Sequence, residues 1–323
     1  MRRRAFISLL GGAAAWPLGA RAQQPMPVIG FLTALSEAES YQIEPLRRGL
    51  SEGGLLEGKN LAIEYRFAEG KYERLTAFAA EFVRRPVSLI IGASPPAALA
   101  AKVLTTTIPI VFVVGLDPVA AGLVASFNRP GGNATGISLI TGPLGQKRVE
   151  FLQEFTPKAA IIAMLVNPVS PDAAPEIRDV QAVARAANLT IKIINASTAT
   201  EIDSAFAALA NAKPERLLIG SDPFFVMNRV QIATLATQLG VPAIFPFREF
   251  AAAGGLMSYG TSLGGAYREA GVYASRILNG ANPSELPVLQ PTSFQLVINL
   301  KTAKTLGLDL PPLLLARADE VIE

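Results

Sequence analysis

The chain has 323 residues, half of them apolar, with 29 basic and 26 acidic side chains and neither cysteine nor histidine. Without cysteine there is no disulfide framework, thiol nucleophile, zinc–thiolate site or lipid-acceptor thiol. Without histidine, the usual catalytic triads, imidazole bases and histidine metal sites fall away, so no cofactor or metal is expected. The formal net charge of +3 resides in the first residues, and no later basic block or aromatic–basic interleaving points to nucleic acid.

In chain order, the first segment reads as an address. Arg2, Arg3 and Arg4 precede the apolar stretch Phe6 to Leu18, which Gly11 and Gly12 loosen, and Ala20-Arg21-Ala22 is a small-x-small cleavage site. Residues 1–22 are therefore expected to be an export signal cleaved after Ala22, and Arg3-Arg4-Ala5-Phe6-Ile7 fits the twin-arginine pattern. The apolar stretch is shorter than the roughly 20 residues a membrane span needs, and no later segment qualifies. The expectation is an exported, periplasmic chain that does not span the membrane. Loss of the leader's four arginines takes the formal net charge to −1.

The remaining chain alternates short Val/Ile/Phe-rich runs with longer Ala/Leu-rich amphipathic stretches, the pattern of βα units on parallel sheets. Predicted strands are Val28 to Thr33, Leu61 to Phe67, Leu89 to Ala93, Ile108 to Val114 and Ala134 to Leu139. A helix near Leu144 to Phe155 is followed by strands Ile161 to Val166, Thr190 to Asn195, Leu217 to Ser221, Ala243 to Phe247 and Leu256 to Tyr259. The second set repeats the first: Val28 aligns with Ile161, Leu61 with Thr190, Leu89 with Leu217 and Pro109 with Pro242, at offsets of 133, 129, 128 and 133. Leu89-Ile90-Ile91-Gly92-Ala93-Ser94-Pro95 is echoed by Leu217-Leu218-Ile219-Gly220-Ser221-Asp222-Pro223. Two similar doubly wound α/β lobes are predicted, with a cleft where the carboxyl ends of their strands face each other.

Three segments carry a family resemblance. Ile108-Pro109-Ile110-Val111-Phe112, Asp117-Pro118-Val119-Ala120-Ala121-Gly122-Leu123-Val124 and Arg129-Pro130-Gly131-Gly132-Asn133-Ala134-Thr135-Gly136 together resemble the substrate-binding proteins of ABC transporters whose characterised members take tryptophan, tyrosine or phenylalanine. Tyr259-Gly260, the helix Tyr267 to Gly280 and Leu296-Val297-Ile298-Asn299-Leu300-Lys301-Thr302-Ala303-Lys304 extend the match over nearly the whole exported chain. The resemblance implies the type I periplasmic binding-protein fold, with three crossovers near Thr141, Ser262 and Pro291. Lobe 1 would comprise residues 27–141 and 263–290, and lobe 2 residues 142–262 and 291–323. It also implies a monomer that binds a small ligand, an amino acid or related carboxylate, and delivers it to an ABC transporter permease without acting as an enzyme.

Candidate ligand contacts are sought in the strand-to-helix loops. Ser94 stands before Pro95 and Pro96 and can cap the following helix or offer its hydroxyl to a ligand carboxylate. Asp117 and Asp222 each precede a proline and read equally as caps. Asp222 lies opposite Ser94 in the duplication, so its carboxylate is the candidate for a ligand ammonium. Ser221, Phe224, Phe225, Phe247, Arg248 and Tyr259 stand at second-lobe strand ends, and Thr33, Ser36 and Glu37 follow the first strand. A serine hydrolase built on Ser94 or Ser221 would need a lysine base, and no Ser-x-x-Lys occurs near either. A receptor or sensor module would use the same lobe pair, whereas an export leader in place of a DNA-binding headpiece disfavours a repressor.

Overall fold

The computed structural model describes residues 26–156, 160–212 and 214–323, so the expected leader lies outside the described residues. The chain runs β1 (Val28–Thr33), α1 (Ile43–Glu52), β2 (Ala62–Phe67), α2 (Arg74–Arg84), β3 (Leu89–Gly92), α3 (Pro95–Leu104), β4 (Ile110–Val114) and β5 (Ala134–Ser138). A second series follows: α4 (Thr141–Phe155), β6 (Ile161–Val166), α5 (Ala173–Ala186), β7 (Thr190–Asn195), α6 (Ala199–Ala212) and β8 (Arg216–Ile219). It continues through α7 (Pro223–Met227), α8 (Arg229–Leu239), β9 (Ala243–Phe245), α9 (Arg248–Ala252) and β10 (Met257–Gly260). The chain ends with α10 (Leu263–Leu278), β11 (Gln295–Asn299), α11 (Leu300–Thr305), α12 (Pro312–Ala316) and β12 (Glu320–Ile322).

The first sheet has the order β2-β1-β3-β4-β5, and its strands pair in parallel. The second opens with the same topology, β7-β6-β8-β9-β10, again parallel. The repeat in the sequence is thus a repeat of connectivity. The second sheet then departs from a purely parallel one: β11 joins β10 antiparallel, and β12, which the sequence pattern did not announce, adds parallel to β11. Strands covered on both faces are continuously apolar, and Ile29, Phe31, Leu89, Ile90, Ile91 and Ile110 are fully buried.

Helices cover both faces of each sheet. On lobe 1, α2 and α3 lie on one side while α1 packs against α10, which itself contacts β3, β4 and β5. The α1–α10 crossing is close because it is glycine on both sides. A Cβ on Gly49 would fall 1.9 Å from the Arg268 carbonyl oxygen, and one on Gly271 2.2 Å from that of Leu46. Among the described residues, no helix is long and apolar enough to cross a membrane.

The chain passes between sheets after β5, after β10 and again before β11. At the first passage Ile140 adopts φ +54° and ψ +43°, a left-handed conformation that a β-branched side chain disfavours. At the second, the Ser262 hydroxyl accepts the Gly265 N–H and starts α10. Each sheet reverses strand order at its first strand, at β1/β3 and β6/β8, and such a reversal opens a crevice beyond the carboxyl ends.

Candidate functional site

The two crevices face each other and enclose a cavity with about 410 Å³ of non-atom space, open solvent at its mouth included. Its walls come from the loops the switch points dictate: Leu35, Tyr41 and Gln42 after β1, Ala93 to Pro95 after β3, Asp172 after β6, and Ser221 to Pro223 after β8. Val113, Leu139, Val226, Phe247, Leu263 and Tyr267 make the rest largely apolar and aromatic. Among the described residues, Asp172 and Asp222 are the charged groups of the lining, which holds no lysine or arginine.

These two carboxylates differ in what they already hold. Asp222, 3% exposed, caps α7 by accepting the Phe224 N–H at 2.9 Å and accepts Asn167 Nδ2–H at 3.0 Å. The Tyr72 hydroxyl, from the other lobe, lies 2.9 and 2.8 Å from its two oxygens. Burial is the main reason its carboxyl is pushed up from 3.8 to about 6. Asp172, 4% exposed, has an Oδ1 with no hydrogen-bond partner. Burial, then the charges of Glu176 and Asp222, raise its carboxyl well above the usual range. An unpaired buried carboxylate is expensive, and a cation entering the cavity relieves it.

The neighbouring Glu176 is not free in the same sense. It meets Arg148 Nη2 at 3.2 Å and accepts the Ser221 N–H at 2.8 Å, so this buried pair holds the β8–α7 loop in place. Arg148 also donates to the carbonyls of Thr141, Leu144 and Ile219.

On the opposite wall, Ser94 is 3% exposed and its Oγ has no partner. It stands at the N-cap of α3 without bonding the helix. Pro95 and Pro96 fill the first turn, so that turn has no N–H at those positions and retains the one on Ala97. The hydroxyl is therefore the principal donor at this end. Behind it, Thr33 donates to Gln42 at 3.0 Å, and Gln42 donates to Tyr267 at 2.7 Å and to the Ala93 carbonyl at 3.2 Å. This chain fixes Tyr267, which meets Tyr41 edge to face at 6.3 Å.

Of the residues singled out by sequence, Ser94, Pro95, Ser221, Asp222 and Phe247 come together on the cavity wall. The others lie elsewhere. Thr33 is buried behind Gln42, and Ser36 is half-buried at the start of a short 3-10 turn. Asp117 is exposed and caps its own turn through the Val119 and Ala120 N–H groups. Arg248 points outward to Glu320 at 2.5 Å, and Tyr259 packs between Phe151 and Phe294. Asp172, Tyr41, Gln42 and Tyr267 escaped sequence reasoning. Asp172 had one signal: it closes the loop after the first strand of lobe 2, but its place before a helix reads as a cap, and it makes no side-chain cap bond.

A pH dependence follows. Asp172, Glu176, Asp222 and Glu249 are all raised chiefly by burial. The folded protein then holds protons that the unfolded chain releases, so stability is gained as pH falls and lost as it rises through the folded-state values. For Asp222 the window runs from above about 6 down to 3.8. The ligand-free thermal midpoint is expected to rise by a few degrees between pH 7.5 and 5, for a gain of roughly 1–2 kcal/mol. A midpoint that falls over this interval would contradict carboxyls raised by burial.

Two facing lobes around a mostly apolar cavity with polar groups at its ends define a ligand-capturing protein. Residues 31–322 match the model of the ABC transporter substrate binding protein family, and the chain belongs to that family. Its members are extracytoplasmic binding proteins rather than enzymes. A tyrosine-binding protein of Clostridioides difficile is 27% identical over 261 residues, 81% of this chain and 75% of the relative. An ABC domain from Streptococcus pneumonia in complex with L-Trp is 23% identical with a TM-score of 0.82, over 92% of this chain and 99% of that one. The ligand-free, open structure of a substrate-binding protein with adhesive properties from Clostridium difficile is 25% identical at the same coverages, with a TM-score of 0.66. The fold is the type I periplasmic binding-protein fold.

Proposed function

We propose that the protein is the periplasmic receptor of an ABC importer, carrying an amino acid with an apolar or aromatic side chain to its permease. The Asp172 carboxyl, with its Oδ1 unpartnered in a cavity lined, among the described residues, by no lysine or arginine, carries this reading. It calls for a ligand cation, and the unpartnered Ser94 hydroxyl at the opposite helix start suits a carboxylate. Tyr41, Phe247 and Tyr267 would flank the side chain, each well-buried group gaining roughly 1.5–3 kcal/mol. The tyrosine and tryptophan ligands of the relatives fit the same division.

The test is thermal unfolding and calorimetry with L-tyrosine, L-tryptophan and L-phenylalanine beside tyramine and 4-hydroxyphenylacetate. A ligand at 100 times its dissociation constant stabilises by about 2.7 kcal/mol, several degrees in midpoint. The zwitterions should bind tightest and the amine-free acid weakest; tightest binding by the acid would reject the reading. Export with cleavage after Ala22 predicts that the secreted protein begins at Gln23, and a monomer is expected in light scattering.

A further inference from the structure

One residue ties the lobes together without lining the cavity. Tyr72 sits between β2 and α2, on a loop bound to the end of β1: the N–H groups of Ala68, Glu69 and Gly70 donate to the carbonyls of Thr33, Leu35 and Ala34. Gly70 turns this loop at φ +77°, and a Cβ there would lie 2.9 Å from Met227 Cε across the cleft. Thus held, the Tyr72 hydroxyl reaches both Asp222 oxygens and also accepts the Phe224 N–H at 3.3 Å. From its own lobe, Asn167 and Phe224 both donate to Asp222 Oδ1. A second cross-cleft pair, Arg229 with Glu39, stands apart from this one.

We infer that Tyr72 and Asp222 form a latch that sets the lobe-closure equilibrium independently of the ligand, leaving Asp172 as the ligand's own anchor. Opening breaks the Tyr72 bond and returns both groups to water; closing restores it in a dry site, where a hydrogen bond to a charged group is worth most. Tyr72 is a positioning residue. Because affinity scales with the population of the closed, binding-competent form, weakening the latch lowers affinity for every ligand by one common factor.

Tyr72→Phe keeps the ring and its packing while removing the hydroxyl. The cysteine-free chain permits spin labels at the exposed positions Val103→Cys on lobe 1 and Val230→Cys on lobe 2. In the ligand-free protein, Tyr72→Phe should shift the interlobe distance distribution toward the open form, lowering the closed-to-open ratio by about tenfold to a hundredfold. Affinities for L-tyrosine, L-tryptophan and L-phenylalanine should fall by one common factor, the measured drop in the closed fraction. An unchanged distribution overturns the latch, as does a loss confined to one amino acid, which would make Tyr72 a specificity contact. The distance measurement requires no ligand, so it decides the latch separately from the amino-acid reading.

Discussion

Asp172→Asn should weaken binding of the preferred amino acid by about thirtyfold to several thousandfold, while raising the thermal midpoint of the ligand-free protein. Both effects have one cause. The carboxylate is buried, its Oδ1 is unpartnered, and among the described residues no cationic side chain lines the cavity to neutralise it. In the ligand-free protein burial disfavours that charge and raises the carboxyl, a penalty on the ionised form that a neutral amide of the same shape removes. With ligand bound, the carboxylate and ammonium compensate each other, and truncating one partner of such a buried pair costs about 2–5 kcal/mol. Calorimetry and unfolding on the same variant measure the two halves. Unchanged affinity with a lowered midpoint would assign Asp172 to the fold and remove the ammonium from the model of binding. The contrast with Asp222 sharpens the test, because that carboxylate is already occupied by Tyr72, Asn167 and Phe224.

Glu176→Ala should destabilise the protein by about 3–5 kcal/mol, because it leaves the buried Arg148 guanidinium without its counter-charge. Arg148 is 1% exposed and its remaining bonds go to neutral carbonyls and the Ser221 hydroxyl. Denaturant unfolding of the single variants and of Arg148→Met with Glu176→Leu isolates the pair. The double variant should recover much of the loss, since an apolar pair of similar volume removes both desolvation costs at once. Losses that simply add would show that the two residues act separately. The pair has a consequence for the site as well: Glu176 accepts the Ser221 N–H, so the loop that presents Ser221 and Asp222 is built on it.

What the sequence by itself determined is whatever depends on local pattern. Continuous apolar runs became buried strands, the near-constant offset became two sheets of identical starting order, and the strand-to-helix loops named Ser94, Ser221, Asp222 and Phe247, which meet at one cavity. Residue types absent from the chain excluded whole chemistries. Tertiary structure decided which polar groups are already satisfied, because hydrogen-bond partners come from distant parts of the chain. Asp222 and Asp172 read alike as acids before helices, yet Tyr72, 150 positions from Asp222, and Asn167, 55 positions away, supply partners to the first, while Asp172 Oδ1 has none. Arg248 was drawn out of the cleft by Glu320 near the other end of the chain, and Tyr259 by the rings of Phe151 and Phe294. Burial pattern is written in neighbours along the chain, whereas the pairing of buried charge is settled by neighbours in space.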